Sequence, residues 1–292
     1  MSVATCEFEL EDVVCDLCGS DRSRVVMRKA GALWPHLFTI VRCSRCGLVY
    51  ETPRIAERQM GELYDDRYYR GEGFDRTIDY LRDDPDDPDN RAAAQRVIAT
   101  VRDAAGDLRG KRVLDVGCGT GALLRAFVRA GADAAGLESA EAARRRCASH
   151  GLTIVADDLR DPSLPLAAYD VVTAIEVIEH VPSPTAFLAR IRELLKPGGV
   201  FYYTTGNWHL VSRQPGTPYV MPEGHITYFT PRTMRRFLVK TGFDVVPVLN
   251  RAWIGYRGLP PALRRALPPA LLHALSALCG DLGQFPVARR PG

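Results

Sequence analysis

Four cysteines in the first fifty residues fall into two knuckles of one form, Cys15-Asp16-Leu17-Cys18-Gly19 and Cys43-Ser44-Arg45-Cys46-Gly47. Each places two thiolates at one tight turn, and the glycine after the second cysteine lets the backbone fold around a metal ion. Together they supply the four thiolates of a closed tetrahedral zinc site, which has no open position and is therefore structural rather than catalytic. A second group is the glycine loop Gly117-Cys118-Gly119-Thr120-Gly121 with Asp115 just before it. Glycines between a strand and a helix let a ligand approach the backbone closely. Gly117, Gly119 and Ala122 also satisfy a nicotinamide fingerprint. Asp115 argues against that cofactor, since a carboxylate there repels a pyrophosphate and suits an ammonium or a water-bridged amino acid. Glu138 is placed to grip two ribose hydroxyls, and Asp157 to accept from an adenine amino group. A third group is His180, in Glu179-His180-Val181-Pro182, and His225, in Glu223-Gly224-His225-Ile226-Thr227-Tyr228. An imidazole titrates near neutral pH, so His225 is the expected general base and His180 a second polar contact, with Glu223 and Tyr228 beside them.

The elements that must position these residues are legible from the run of strand and helix patterns after Lys111. RVLDVG, DAAGLE, LTIVAD, YDVVTAIE, VFYYTTG and FDVVPVLN read as strands, with helices between them stopped by glycine or proline-glycine. TPRTMRRFLVKTGF opens on a threonine cap with proline at the first helical position. Such alternation predicts an α/β fold with a parallel, doubly wound sheet, in which both histidines follow strands at the end where ligand crevices open. Before it, residues 1–14 read as a loose leader, LFTIVRC as a hairpin strand, 51–82 as a tyrosine-rich polar stretch, and DDPDDPDN as an exposed loop ahead of a helix over 91–106. The expected organisation is a zinc-binding module at 1–54, a linker and helical cap at 55–110, and a catalytic domain at 111–292, with a proline-rich helical insertion at 259–279 before a last strand, QFPVARR.

Composition narrows the function class. A net charge of +3 over 292 residues, with arginines spread along the chain, gives no electrostatic case for nucleic acid or membrane. The leader lacks a basic and apolar signal, and ALPPALLHALSALCG is too short and too proline-broken to span a bilayer. A cytoplasmic location is expected, where paired CxxC motifs point to metal before disulfides.

VLDVGCGTG resembles motif I of class I S-adenosylmethionine-dependent methyltransferases; YDVVTAIEVIEHVPSP resembles their fourth-strand motif and LLKPGG their turn before strand five. GHITYFTPRTMRRFLVKTGF resembles a segment of the branch that includes ubiquinone-biosynthesis and natural-product methyltransferases. The resemblance covers roughly residues 90–250. It implies a Rossmann-like seven-stranded sheet with S-adenosylmethionine held by Asp115, Gly117, Cys118, Gly119, Gly121, Glu138, Ser139, Asp157, Asp158, Leu159 and Glu176. Aromatic faces near the sulfonium would be Tyr68, Tyr69, Trp208 or Tyr228. A four-cysteine module ahead of the fold is similar to that of sugar C-methyltransferases, in which a Glu-His pair holds the base. Here Gly224 directly precedes His225, with Glu223 one residue further back, and only about 40 residues follow the sixth strand, too few for the C-terminal domain of that family. The implied activity is O- or C-methylation of a small metabolite, such as a nucleotide-linked sugar or natural-product intermediate. The alternatives are an RNA methyltransferase gripping its substrate with the ribbon's Arg22, Arg24, Arg28, Lys29, Arg42 and Arg45, and a non-catalytic binding module on the same scaffold.

Overall fold

The computed structural model of the chain describes residues 8–76, 79–81, 88–246, 283–284 and 287–292; the helical stretch expected at 259–279 lies outside the described residues. The N-terminal part is built on a hairpin. Strands β1 (Ser23–Ala30) and β2 (Leu37–Cys43) pair antiparallel, with Ser23 opposite Cys43 and Ala30 opposite Leu37. β3 (Val49–Glu51) returns along β2. The knuckles sit at the ends of this sheet and close on themselves, Gly19 N–H donating to the Cys15 carbonyl at 2.7 Å and Gly47 N–H to that of Cys43 at 3.0 Å. The leader is not wholly loose: Leu10–Glu11 pair antiparallel with Arg54–Ile55. The extended Leu-Glu pair gains backbone partners there that water alone would otherwise supply.

Three short turns of helix (Glu57–Met60, Gly61–Tyr64 and Asp66–Tyr69) carry the tyrosine-rich stretch. The Asp65 carboxylate starts the third by accepting from the N–H groups of Arg67 and Tyr68. Helix α1 (Pro88–Ala105) then leads into β4 (Arg112–Val116), α2 (Ala122–Arg129), β5 (Asp133–Leu137), α3 (Glu141–Ser149), β6 (Ile154–Ala156) and β7 (Tyr169–Ile175). After these come α4 (Pro184–Leu194), β8 (Leu195–Gly206), β9 (Thr227–Tyr228), α5 (Pro231–Lys240), β10 (Asp244–Val246) and β11 (Val287–Arg289). β8 starts five residues before the expected Val200, at Leu195, and its register slips between the two.

The large sheet runs β10-β11-β8-β7-β4-β5-β6, with a two-residue strand, Gly283–Gln284, added at the far end of β8. The pairs from β8 to β6 are parallel, while β11 runs antiparallel to both β8 and β10. This is the expected seven-stranded Rossmann-like order. Val171, Val172, Ala174, Phe201, Tyr202 and Tyr203 are buried because helices cover both faces of the centre, which is why these strands read as unbroken apolar runs.

The two parts are not beads on a string. β9, from the loop after β8, pairs with β3, Thr227 opposite Tyr50 and Tyr228 opposite Val49, so the N-terminal sheet has the order β9-β3-β2-β1. Asp16, inside the first knuckle, accepts from Ser183 Oγ at 2.7 Å and Thr185 N at 2.8 Å and so caps α4. Lys240 donates to the Asp16 carbonyl and Arg236 to that of Cys46, tying α5 to both knuckles. No helix among the described residues is long and apolar enough to cross a membrane.

Candidate functional site

The switch from β4 to α2 is made by the glycine loop. Gly119 and Gly121 have φ of +54° and +89°, a region that costs a side chain strain. A Cβ on Gly121 would lie 2.4 Å from Leu152, so that glycine is held by packing against the scaffold; a Cβ on Gly119 would meet nothing within 4 Å, so that one faces open space. A ligand can therefore approach the backbone at Gly119. Asp115, at the end of β4, is 2% exposed and accepts from Thr173 Oγ1 at 2.6 Å. Burial pushes its carboxyl up to about 7, Thr173 offsets part of that, and the nearby Glu138 charge adds to it.

Glu138, 3% exposed, closes the other side of the loop. It accepts from Gly119 N at 2.9 Å, Ala140 N at 2.9 Å and the Tyr69 hydroxyl at 2.8 Å. Tyr69 is one of the four aromatics expected as candidates near a sulfonium; in the structure its hydroxyl donates to Glu138. Asp157 is exposed just beyond β6, whereas Asp158 is ion-paired with Arg160 at 2.6 Å. Leu159 is half-buried against the core, and the Ser139 carbonyl accepts from Arg144. Cys118 packs with Leu124, Cys147 and Leu152, so only its backbone faces the loop. A buried carboxylate, an open glycine cradle and an acid past the third strand are the groups here that could hold a nucleoside-bearing cofactor.

The two histidines converge beyond the ends of β7 and β8. Their ring centroids are 4.5 Å apart. His225 Nδ1 lies 2.6 Å from the Tyr219 carbonyl oxygen, and His180 Nδ1 lies 3.0 Å from the Gly224 carbonyl and 2.8 Å from the Tyr64 hydroxyl. A carbonyl only accepts, so in both neutral rings Nδ1 carries the proton and Nε2 the lone pair. Burial pulls His180 down to about 4, and burial together with the neighbouring His180 pulls His225 well below the usual histidine range. Both are therefore neutral near pH 7.

Beside them lie Glu179 and Tyr219, which the sequence does not single out, and Glu176, which it places among the cofactor residues. The Tyr219 hydroxyl is 2.5 Å from Glu179 Oε1 and 3.2 Å from Glu176 Oε2, and accepts from Gly206 N at 2.6 Å. Glu179 is fully buried and its Oε2 has no hydrogen-bond partner. The Glu-x-x-Glu-His spacing at 176–180 was the available signal: it sets two carboxylates and an imidazole at one strand end. Tyr219 gave no such sign, since it reaches the site from the loop after β8.

Two expected members of this site are placed elsewhere. Glu223 accepts from three backbone N–H groups of the hairpin loop, Ala32 at 2.8 Å, Leu33 at 2.7 Å and Trp34 at 2.8 Å. Its carboxylate is taken up by that turn, so it anchors the β1–β2 loop. Tyr228 is 1% exposed and packs with Trp208, Ile40, Val49, Val211 and Val220 in the seam between the two sheets. Tyr228, on β9, and Trp208, at the start of a short helix (Trp208–Val211), are both turned into that apolar cluster.

The four knuckle cysteines come together as expected. Cys15 Sγ is 3.3 Å from Cys46 Sγ and Cys18 Sγ is 3.6 Å from Cys43 Sγ, and all four sulfurs lie within 4.8 Å of one another. Zinc–sulfur bonds of about 2.3 Å in a tetrahedron separate sulfurs by about 3.8 Å, so the donor set fits that ion with small adjustments.

A family described as a methyltransferase domain matches residues 89–248. The ubiquinone biosynthesis O-methyltransferase of Bordetella avium is 40% identical over 114 residues, which are 37% of this chain and 47% of that protein, so the chain spans less than half of that relative. The protein of the same name from Burkholderia pseudomallei is 34% identical over 171 residues, 52% of this chain and 72% of that one. An S-adenosylmethionine-dependent methyltransferase from Mesorhizobium loti superposes with a TM-score of 0.52 at 20% identity, over 67% of this chain and 98% of that chain, a likeness of fold alone. The family match spans the glycine loop, Glu138 and the histidine-bearing strand ends together, and the chain belongs to the class I S-adenosylmethionine-dependent methyltransferases.

Proposed function

We propose that the chain transfers the methyl group of S-adenosylmethionine to a hydroxyl oxygen of a small molecule bound beside His225. In that reaction the sulfonium carbon–sulfur bond breaks with its electron pair going to sulfur, a carbon–oxygen bond forms, and the hydroxyl proton leaves. An in-line displacement of this kind needs alignment and exclusion of water more than covalent help. It does need an anionic or nearly anionic oxygen, and that requirement singles out the histidine corner.

The carrying observation is the pair of neutral, buried imidazoles with Nδ1 protons tied to the Tyr219 and Gly224 carbonyls. An Nε2 lone pair held at a fixed angle, at the same edge of the sheet as the glycine loop after β4, is the group available to draw off the hydroxyl proton. The likeness to proteins named O-methyltransferases favours oxygen over carbon as acceptor. On this reading Gly119 and its neighbours hold the methionine part, Glu138 the ribose and Asp157 the adenine edge, and the four cysteines hold a structural zinc ion that fastens the N-terminal sheet to α4 and α5.

The test is transfer of labelled methyl groups from S-adenosylmethionine into separated small-molecule and RNA fractions, followed by identification of the methylated atom. Label on a small-molecule oxygen is expected. Label confined to RNA, or a new methyl on carbon, would overturn the reading.

A further inference from the structure

Two buried cysteines lie outside the knuckles, Cys118 in the glycine loop and Cys147 on α3. They pack together with Leu124 and Leu152, and their thiols hydrogen-bond each other. Both sulfurs also face one acceptor, the Gly119 carbonyl oxygen, at 3.9 Å from Cys118 and 3.3 Å from Cys147. Two glycines clear the space that the sulfurs occupy. A Cβ on Gly136 would stand 2.5 Å from Cys118 Sγ, and one on Gly121 would stand 3.0 Å from Cys147 Sγ. Gly119 also donates its N–H to Glu138 Oε2 at 2.9 Å, and it is the loop position that faces open space. The thiol pair therefore fastens the loop at the residue where a ligand approaches.

We propose that Cys118 and Cys147 are a peroxide-reactive dithiol that closes into a disulfide and weakens cofactor binding. The inference rests on the reading of the glycine loop and Glu138 as the S-adenosylmethionine site. The oxidant is a hydroperoxide, hydrogen peroxide in the simplest case. Cys118 is 9% exposed and Cys147 0%, so Cys118 meets the peroxide first, through the empty loop. Its sulfur bonds to one peroxide oxygen, the O–O bond breaks, and the other oxygen leaves as water with the thiol's proton, which gives a sulfenic acid. The Cys147 sulfur then attacks the Cys118 sulfur, the S–O bond breaks, and the hydroxyl leaves as water with the Cys147 proton. Two thiols are oxidised to one disulfide, and one peroxide is reduced to two waters. A disulfide has no S–H, so the Gly119 carbonyl loses both donors. The sulfurs draw in to about 2.05 Å, which pulls the loop toward α3 and shifts Gly119 against Glu138. A bound cofactor covers Gly119 and in turn keeps peroxide from the thiols, since coupling between two sites is reciprocal.

Full-length protein is treated with hydrogen peroxide alongside Cys147→Ser, whose hydroxyl can still donate to the Gly119 carbonyl. Cysteine pairing is mapped by mass spectrometry of non-reduced digests. S-adenosylmethionine affinity is measured by calorimetry before oxidation, after it, and after reduction with dithiothreitol. The oxidised wild type is expected to yield a peptide linked through Cys118 and Cys147 and to bind the cofactor about 5–10-fold more weakly, the scale of one ordinary hydrogen bond. Reduction should restore the affinity, and Cys147→Ser should keep its affinity through the same treatment. Saturating S-adenosylmethionine should slow the linkage in the wild type, a readout that needs no variant to fold. Absence of the linked peptide overturns the inference, as does a linked wild type with unchanged affinity. An equal loss of affinity in Cys147→Ser overturns it too, since the effect would then belong to the knuckle cysteines. A reduced wild type without affinity for S-adenosylmethionine would sink the cofactor reading of the loop, whereas normal binding with no linkage would sink this inference and leave that reading intact.

Discussion

His225 Nδ1 sits 2.6 Å from the carbonyl oxygen of Tyr219, six residues earlier in the same loop. The contact fixes the ring's tautomer and its angle, and it makes the loop after β8 carry both the imidazole and the phenol that meets Glu179 at 2.5 Å. His225→Ala is expected to lower turnover by about 10²–10⁴-fold, the scale of removing a group that handles the acceptor's proton. The dissociation constant for S-adenosylmethionine should move little, since Glu138 and the glycine loop are unaltered. A variant that keeps most of its turnover between pH 6 and pH 8 would remove His225 from the chemistry and make His180 the next residue to replace.

At the cofactor end, the Tyr69 hydroxyl occupies Glu138 Oε1, which a ribose diol would also seek. Two changes at this contact should move affinity in opposite directions. Glu138→Ala should weaken S-adenosylmethionine binding by about 1–3 kcal/mol, the worth of hydrogen bonds to a buried charge. Tyr69→Phe removes the competing donor and should strengthen binding by about 0.5–1.5 kcal/mol, one ordinary hydrogen bond. Calorimetric titration reads both; weaker binding in Tyr69→Phe would mean that the hydroxyl helps to hold the cofactor.

Glu223 is expected to report on stability and not on catalysis. Glu223→Ala leaves the N–H groups of Ala32, Leu33 and Trp34 without their acceptor, and each such group costs about 1–3 kcal/mol when water cannot replace the lost partner. Glu223→Gln keeps one oxygen and should recover part of the loss. The denaturation midpoint of the two variants, with cofactor affinity as control, distinguishes this anchor from a site residue: a fall in turnover with unchanged stability would return Glu223 to the chemistry.

Much of this architecture can be read from local pattern. Apolar runs such as Val171-Val172 and Phe201-Tyr202-Tyr203 announce strands covered on both sides, and the repeated CxxCG announces two knuckles. The glycine loop and Glu138 follow from spacing along one strand-helix-strand unit. What local pattern does not show is which distant segments share a sheet. Thr227–Tyr228 pairs with β3 across more than 170 residues, and that pairing buries Tyr228 and carries Glu223 to the hairpin loop. Tyr64 and Tyr219 reach the histidines from stretches that look like polar linkers. Each was hidden because its partner is set by tertiary packing and leaves no period or spacing in its own segment.

Asp115 predicts a pH dependence for the cofactor-free protein. Its carboxyl is raised from 3.8 to about 7 by burial, so between those values the folded chain holds a proton that the unfolded chain releases. Stability should therefore fall as pH rises from about 4 to about 7, with a slope of up to about 1.4 kcal/mol per pH unit from this group, and then level off. Asp115→Asn should flatten that segment of the curve. Equilibrium denaturation across this pH range checks it, and an unchanged slope in the variant would assign the dependence to other groups.

Loss of the proposed knuckle zinc should destabilise more than the knuckles. Metal analysis is expected to find about one zinc equivalent lost in Cys15→Ser/Cys43→Ser, with the thiolate set gone. The consequence follows from where the knuckles are fastened. Asp16 caps α4 through Ser183 and Thr185, Lys240 and Arg236 of α5 hold the carbonyls of Asp16 and Cys46, and β9 joins the sheet that the knuckles brace. α4 follows the strand end that bears His180, and β9 follows His225 by one residue, so slackening the knuckles slackens the acceptor corner. The glycine loop and Glu138 follow β4 and β5 and make none of these contacts. Chelation or the double variant should therefore lower the thermal midpoint of the whole chain and cut turnover, while S-adenosylmethionine still binds at temperatures where the chain is folded. A calorimetric trace with two separate transitions, the upper one unmoved by metal loss, would show that the N-terminal module is an independent appendage.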